Sequence, residues 1–197
     1  MSAAPLSLLV VCTGNICRSP FAERWLRNAL AALPPGHAVV ASAGTRALVG
    51  RPAHPGVTGL GTSARLDFRA FSARQVDPAM LRDADLVLTM TAEHRAQVLD
   101  LAPAALKRTF LLRELARLLQ AAPPAGSAGA PAQEGVGRGL REAWREVAAG
   151  LAAGRRGSVP GDDVHDPYGG GPADYRLMEE QMVPALEVIG ARLTALA

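Results

Sequence analysis

Within Cys12-Thr13-Gly14-Asn15-Ile16-Cys17-Arg18-Ser19-Pro20 a thiol and a guanidinium stand five residues apart, between an apolar run and a segment that Pro20 can open as a helix. A chain that turns from strand to helix over so few residues points successive backbone N–H groups inward and makes an anion nest on the helix N-terminus. Gly14 is read as freeing the backbone to turn, and Asn15 as holding a left-handed conformation. Cys12 at the mouth of that nest is expected to be a thiolate nucleophile at neutral pH. Arg18 would fork onto two oxygens of a tetrahedral oxyanion and tighten as charge moves onto them, while Ser19 would hydrogen-bond the sulfur and help it leave in a second step. The bland alternative makes Cys12 a small buried hydrophobe and Arg18 a solvated helix residue. It would win for a lone cysteine, but not for Cys, Gly, Asn, Arg and Ser set together at one strand-to-helix junction.

These residues need a scaffold, and the surrounding pattern describes one. Leu6 to Val11 is a continuous apolar run of the kind found in a parallel strand covered on both faces. Further strands are expected at Ala38 to Ser42, Asp85 to Met90 and Thr109 to Leu112. Helices are expected from Pro20 to Leu30, from Asp77 to Arg82, from Thr91 as N-cap to Leu101, and from Ala173 onward with Leu177, Met178, Met182, Leu186 and Ile189 as its apolar stripe. Strands alternate with helices, which predicts a three-layer α/β/α sandwich on a small four-stranded parallel sheet. The site then lies beyond the carboxyl end of the first strand.

Composition removes other classes. With 197 residues, 49% of them hydrophobic, the chain can bury one full core, so residues 1–197 are read as one domain. From Gln120 to about residue 159 an Ala/Pro/Gly-rich insertion is expected to be flexible, carrying at most a short amphipathic helix from Leu140 to Leu151. A net charge of +3 with only 4% aromatic residues and no long basic run argues against nucleic-acid binding. Two cysteines can build neither a disulfide framework nor a thiolate zinc site, and the run Leu6–Val11 is too short to cross a membrane, so a reduced cytoplasmic protein is expected. His37, His54, His94 and His165 lack metal-ligand spacing and are read as surface or capping residues, with no metal and no cofactor.

The loop resembles that of the low-molecular-weight protein tyrosine phosphatase family, bacterial type, which reads Cys-x-Gly-Asn-x-Cys-Arg-Ser-Pro. The resemblance continues through Ser42-Ala43-Gly44-Thr45, Val49-Gly50-Arg51-Pro52, Ala73-Arg74-Gln75 and Asp166-Pro167-Tyr168. It implies a cysteinyl-phosphate intermediate, with Cys12 as nucleophile, Arg18 as phosphate clamp and Asp166 as general acid and base. It also implies phosphate binding by Thr13, Gly14, Asn15, Ile16, Cys17 and Ser19, support of the loop by Ser42, and a substrate pocket walled by Ile16, Leu48 and Tyr168. Ile16, where phosphoarginine-specific relatives carry a smaller polar residue, favours phosphotyrosine; Leu48 stands where many relatives place an aromatic. Cys17 is read as a partner that can pair reversibly with Cys12 and shield it from overoxidation.

An acid is required independently of the resemblance, because a phenolate leaves slowly unless it is protonated. Asp162, Asp163 and Asp166 compete for that part, and Pro167 favours Asp166 by holding it extended. A phosphotyrosine protein, phosphorylated in turn by a bacterial tyrosine kinase of the sort that controls surface polysaccharide, is the partner the resemblance implies. Two other functions share the loop: an arsenate reductase, which needs later resolving cysteines that this chain lacks, and a non-catalytic module that docks phosphorylated partners.

Overall fold

The apolar run before the loop forms β1 (Leu6–Cys12), which lies inside the sheet. The computed structural model describes residues 4–61, 65–122, 139–155, 157 and 159–197. Strands β2 (Ala38–Gly44), β3 (Leu86–Thr89) and β4 (Thr109–Leu111) complete a parallel sheet in the order β2-β1-β3-β4. Cys12 pairs with Gly44 and Val11 with Thr89, so the ends of the three strands meet at one edge. The helices are α1 (Arg18–Ala29), α2 (Pro55–Gly61), α3 (Pro78–Asp83), α4 (Ala92–Leu101), α5 (Leu112–Ala121), α6 (Leu140–Gly154) and α7 (Pro172–Ala195).

Alternation along β1 explains why its sequence is apolar without a break. Leu6, Leu8, Val10 and Cys12 face a core shared with Phe21 of α1, Leu115 of α5, Trp144 of α6 and Met178 of α7. Leu9 and Val11 face the opposite layer, with Leu81 of α3 and Val98 of α4. Both faces of the sheet are thus covered, giving the three expected layers. Among the described residues no helix is long and apolar enough to cross a membrane.

Two helices differ from expectation. Leu112 opens α5 instead of closing β4, and Leu112, Leu115, Ala116 and Leu119 are buried along one helical face. Helix α2 has no periodic signal at all; its Gly56 lies so close to Tyr175 that a Cβ would come within 2.6 Å of the ring. In α7 the stripe holds at Met178, Met182, Leu186 and Ile189, but Leu177 is turned outward, 40% exposed.

The 120–159 segment is not uniformly a loose insertion. Ala121 still belongs to α5, and Leu140–Gly154 is a packed helix whose Trp144 is fully buried. Residues 123–138, 156 and 158 lie outside the described residues. At one end of α6 the Asp85 carboxylate receives Arg141 Nε at 2.8 Å, Arg145 Nη2 at 3.1 Å and the Ser7 N–H at 3.1 Å. Just beyond its other end, Arg155 donates to the Thr109 carbonyl at 2.7 Å, pairs with buried Glu114 at 3.3 Å and lies 4.2 Å over the Phe110 ring. A large apolar side chain inserted between two charged anchors gives this helix what composition alone denied it.

Candidate active site

Cys12 ends β1, Arg18 begins α1, and the five residues between them are held from outside by their carbonyls. Cys12, Thr13, Gly14 and Ile16 accept from the N–H groups of Thr45 (2.9 Å), Arg46 (3.0 Å), Leu48 (3.0 Å) and His54 (2.8 Å). Among the described residues the N–H groups of residues 13–17 have no acceptor, the state of donors reserved for an anion. The left-handed residue of the turn is Asn15, at φ 53°. Gly14 is not the conformational requirement: its φ is not positive, and a Cβ there would make only ordinary contacts. The glycine this geometry demands is Gly44, where a Cβ would stand 2.3 Å from the Thr13 carbonyl.

Asn15 is fully buried and uses its whole amide. Its Nδ2 donates to Ser19 Oγ and Ser42 Oγ, both at 2.9 Å, and its Oδ1 accepts from the Arg74 N–H at 2.9 Å. Ser42 in turn donates to Glu23 at 2.5 Å. Ser19 Oγ accepts from Asn15 and lies 2.9 Å from Cys12 Sγ and 3.4 Å from the Ala43 carbonyl, so its one proton can turn from that carbonyl to a thiolate.

Arg18 is 4% exposed and Nη2 donates to Asp166 Oδ2 at 2.6 Å. Its Nη1 reaches the Val164 carbonyl at 3.4 Å, while Nε is buried without a partner among the described residues. The three competing aspartates separate cleanly. Asp162 is buried and bound to Arg117 at 2.9 Å, and Asp163 accepts from the Ala92 N–H at the start of α4. Only Asp166 lines the cavity with the thiol, its side chain 49% exposed.

That cavity, of about 170 Å³, is walled by Ile16, Leu48 and Tyr168 and floored by Cys12, Thr13, Gly14, Cys17 and Arg18. Ile16 is buried, whereas Leu48 and Tyr168 form an open rim. Cys17 is a free buried thiol whose Sγ is 4.0 Å from Tyr175 Oη, and burial pushes its pKa up to about 12. Of the groups expected at the phosphate, Asn15 and Ser19 do not line the cavity but lie fully buried behind it, with Ser42 behind Asn15; the others named line it.

Sequence reasoning missed several neighbours. Arg46 lines the rim of the cavity. His54 is stacked on Tyr175 at 5.3 Å and meets Tyr168 edge-on at 6.1 Å, bracing one wall. His94, read as a surface or capping residue, does bond the N-cap Thr91 but is only 5% exposed, with Nδ1 2.8 Å from Thr91 Oγ1 and Nε2 2.8 Å from Thr13 Oγ1. Its pKa is lowered to about 4, by burial first and by the charges of Arg18 and Arg46 next. A single histidine three residues after an N-cap threonine reads only as part of a cap; no local pattern reports a loop residue 81 positions away.

The class is thereby defined: a parallel α/β/α sandwich that brings a thiol, a buried guanidinium and, among the described residues, unpaired loop amides together at the carboxyl edge of its sheet. A family profile described as low molecular weight phosphotyrosine protein phosphatase matches residues 7–122. The chain belongs to that family. It is 43% identical over 96 residues to the low molecular weight protein-tyrosine-phosphatase Wzb of Salmonella typhi, covering 49% of this chain and 61% of that protein. It is 42% identical over 105 residues to Etp of Escherichia coli K12, covering 53% and 68%. The chain thus spans about 61% of the length of Wzb in that match. The crystal structure of the Erwinia amylovora tyrosine phosphatase AmsI superposes with a TM-score of 0.66 at 24% identity, covering 96% of this chain and 95% of that one, a likeness of fold. Asp166 lies beyond the residues matched by the family profile.

Proposed function

We propose that the whole chain, residues 1–197, is a single protein tyrosine phosphatase domain working through a cysteinyl-phosphate. The observation that carries this reading is the convergence of Cys12, Arg18 and Asp166 on one cavity with apolar walls. Phosphate enters the loop, meets its free N–H groups and the unpartnered Nε of Arg18, and competes with Asp166 for the guanidinium. Cys12 Sγ attacks phosphorus, the P–O bond to the tyrosyl oxygen breaks, and protonated Asp166 gives its proton to that oxygen. Asp166, now a carboxylate, takes a proton from water as the water attacks the cysteinyl-phosphate. Inorganic phosphate leaves, and Ser19 donates to the returning thiolate. Ile16, Leu48 and Tyr168 offer a flat ring an apolar slot, which supports phosphotyrosine over shorter phosphoserine.

The substrates are then proteins phosphorylated by a bacterial tyrosine kinase in the cytoplasm. The absence of any cysteine after Cys17 supports this reading over arsenate reduction. Cys17 is read as a redox partner: peroxide takes the Cys12 thiolate to a sulfenic acid and is itself reduced to water. The Cys17 thiol then condenses with it, releasing water and leaving a disulfide.

Hydrolysis of para-nitrophenyl phosphate and of a phosphotyrosine peptide tests the central claim. Cys12→Ser is expected to abolish turnover and keep phosphate binding; wild-type turnover in that variant refutes the mechanism. Asp166→Asn is expected to slow poor leaving groups by about 10²–10⁴-fold and good ones less. Equal losses for both would remove Asp166 from the role of acid.

A further inference from the structure

Arg18 has two acceptors on the same nitrogen: Asp166 Oδ2 at 2.6 Å and, more distantly, Thr13 Oγ1 at 3.5 Å. The first must let go for Asp166 to serve a leaving group, so the second, with the Val164 carbonyl on Nη1 at 3.4 Å, holds the guanidinium while phosphate is bound. Thr13 has one hydroxyl proton and two neighbours, Arg18 and His94. A guanidinium only donates, so Thr13 Oγ1 accepts from Arg18 and keeps its own proton to give to His94 Nε2, in the tautomer where that nitrogen presents its lone pair. Nδ1 then carries the ring proton and donates to Thr91 Oγ1, whose other lone pair accepts from the His94 N–H at 3.3 Å. In this tautomer every contact along the chain Thr91, His94, Thr13, Arg18 pairs a donor with an acceptor, and the depressed pKa of His94 agrees with a neutral ring.

We infer that His94 is a positioning residue for phosphate binding, which keeps the lone pair of the Thr13 hydroxyl turned toward Arg18 when Asp166 is released. The inference rests on the phosphatase reading only for that release. Its place in the fold supports it: α4 packs on the layer opposite α1, so the imidazole ties the oxyanion loop to a helix that contributes nothing else to the cavity wall. The ring borders a second groove beside the site, with Glu93, Asp163, His165, Asp166 and Gln181 around it.

The test uses the full chain with inorganic phosphate as probe, reading affinity from the phosphate-dependent rise of the unfolding temperature and KM and kcat from para-nitrophenyl phosphate. His94→Leu and Thr13→Val are each expected to weaken phosphate binding about three- to tenfold, with KM rising in step and kcat changing less. His94→Gln, whose carbonyl can accept from Thr13, is expected to restore binding to within about twofold of wild type. The double variant His94→Leu/Thr13→Val is expected to lose no more than the worse single variant, because both remove one link. Unchanged phosphate affinity in Thr13→Val, no rescue by His94→Gln, or additive losses each overturn the inference, and the first two stand even if His94→Leu fails to fold. A wild type that binds phosphate but turns nothing over refutes the proposed function instead, and the binding arm still decides the part played by His94.

Discussion

Replacing Asn15 tests how much of the site's geometry hangs on one buried amide. In Asn15→Ala, buried Ser19 and Ser42 each lose a donor, and the N–H of Arg74, an exposed residue, loses its acceptor. Three hydrogen bonds at about 1 kcal/mol each put the loss of stability at about 3 kcal/mol. The φ of 53° adds to it, because alanine holds that conformation less readily than asparagine. Asn15→Asp sharpens the test, since it keeps shape and the acceptor for Arg74. Ser42 already spends its proton on Glu23, and Ser19 has Cys12 to serve, so an aspartate would set acceptor against acceptor. It should therefore be no better tolerated than alanine, despite being isosteric. Equilibrium denaturation with turnover of para-nitrophenyl phosphate measures both effects. An Asn15→Asp protein with wild-type stability and activity would refute the assigned bond directions and the idea that this amide holds the loop.

Other predictions concern the scaffold and pH. Trp144→Ala should cost about 3–5 kcal/mol, as truncation of a fully buried tryptophan does. Trp144→Phe should cost much less, because the indole N–H is itself buried without a partner among the described residues; calorimetric or chemical unfolding distinguishes the two, and equal losses would mean that α6 is not docked on its ring. His94, neutral in the fold with its pKa lowered to about 4, binds its proton more readily once unfolded. Stability should thus be intact above pH 6.5 and fall as pH drops toward 4, by about 3 kcal/mol for this group. His94→Gln should flatten that limb in denaturation curves across the range; an unchanged slope would show that the ring is not held neutral.

Cys12, Arg18 and Ser19 are legible in the sequence because a strand-to-helix loop is a local object: its residues are neighbours in the chain, and their spacing alone fixes which of them face one anion. The four strands are legible for a similar reason, since burial on both faces writes itself as an unbroken apolar run. Contacts across sequence distance leave no such trace. That Asp162 binds Arg117, Asp163 meets α4 and only Asp166 enters the cavity was decided by how the last loop crosses the strand ends. The same holds for the glycine that matters. Gly14 carries the motif, but Gly44 is where two backbones touch, and only the pairing of β2 with β1 brings them together. Composition marked residues 120–159 as loose apart from an amphipathic helix at Leu140 to Leu151; that helix is there, and what it docks on was not legible. Trp144 finds a core, and Arg141, Arg145 and Arg155 find Asp85, just before β3, and Glu114 of α5. His94 is a further case: its bond to Thr13 joins residues 81 apart, and burial beside two arginines turns a histidine that reads as surface or capping into a neutral ring beneath the Cys12–Arg18 loop.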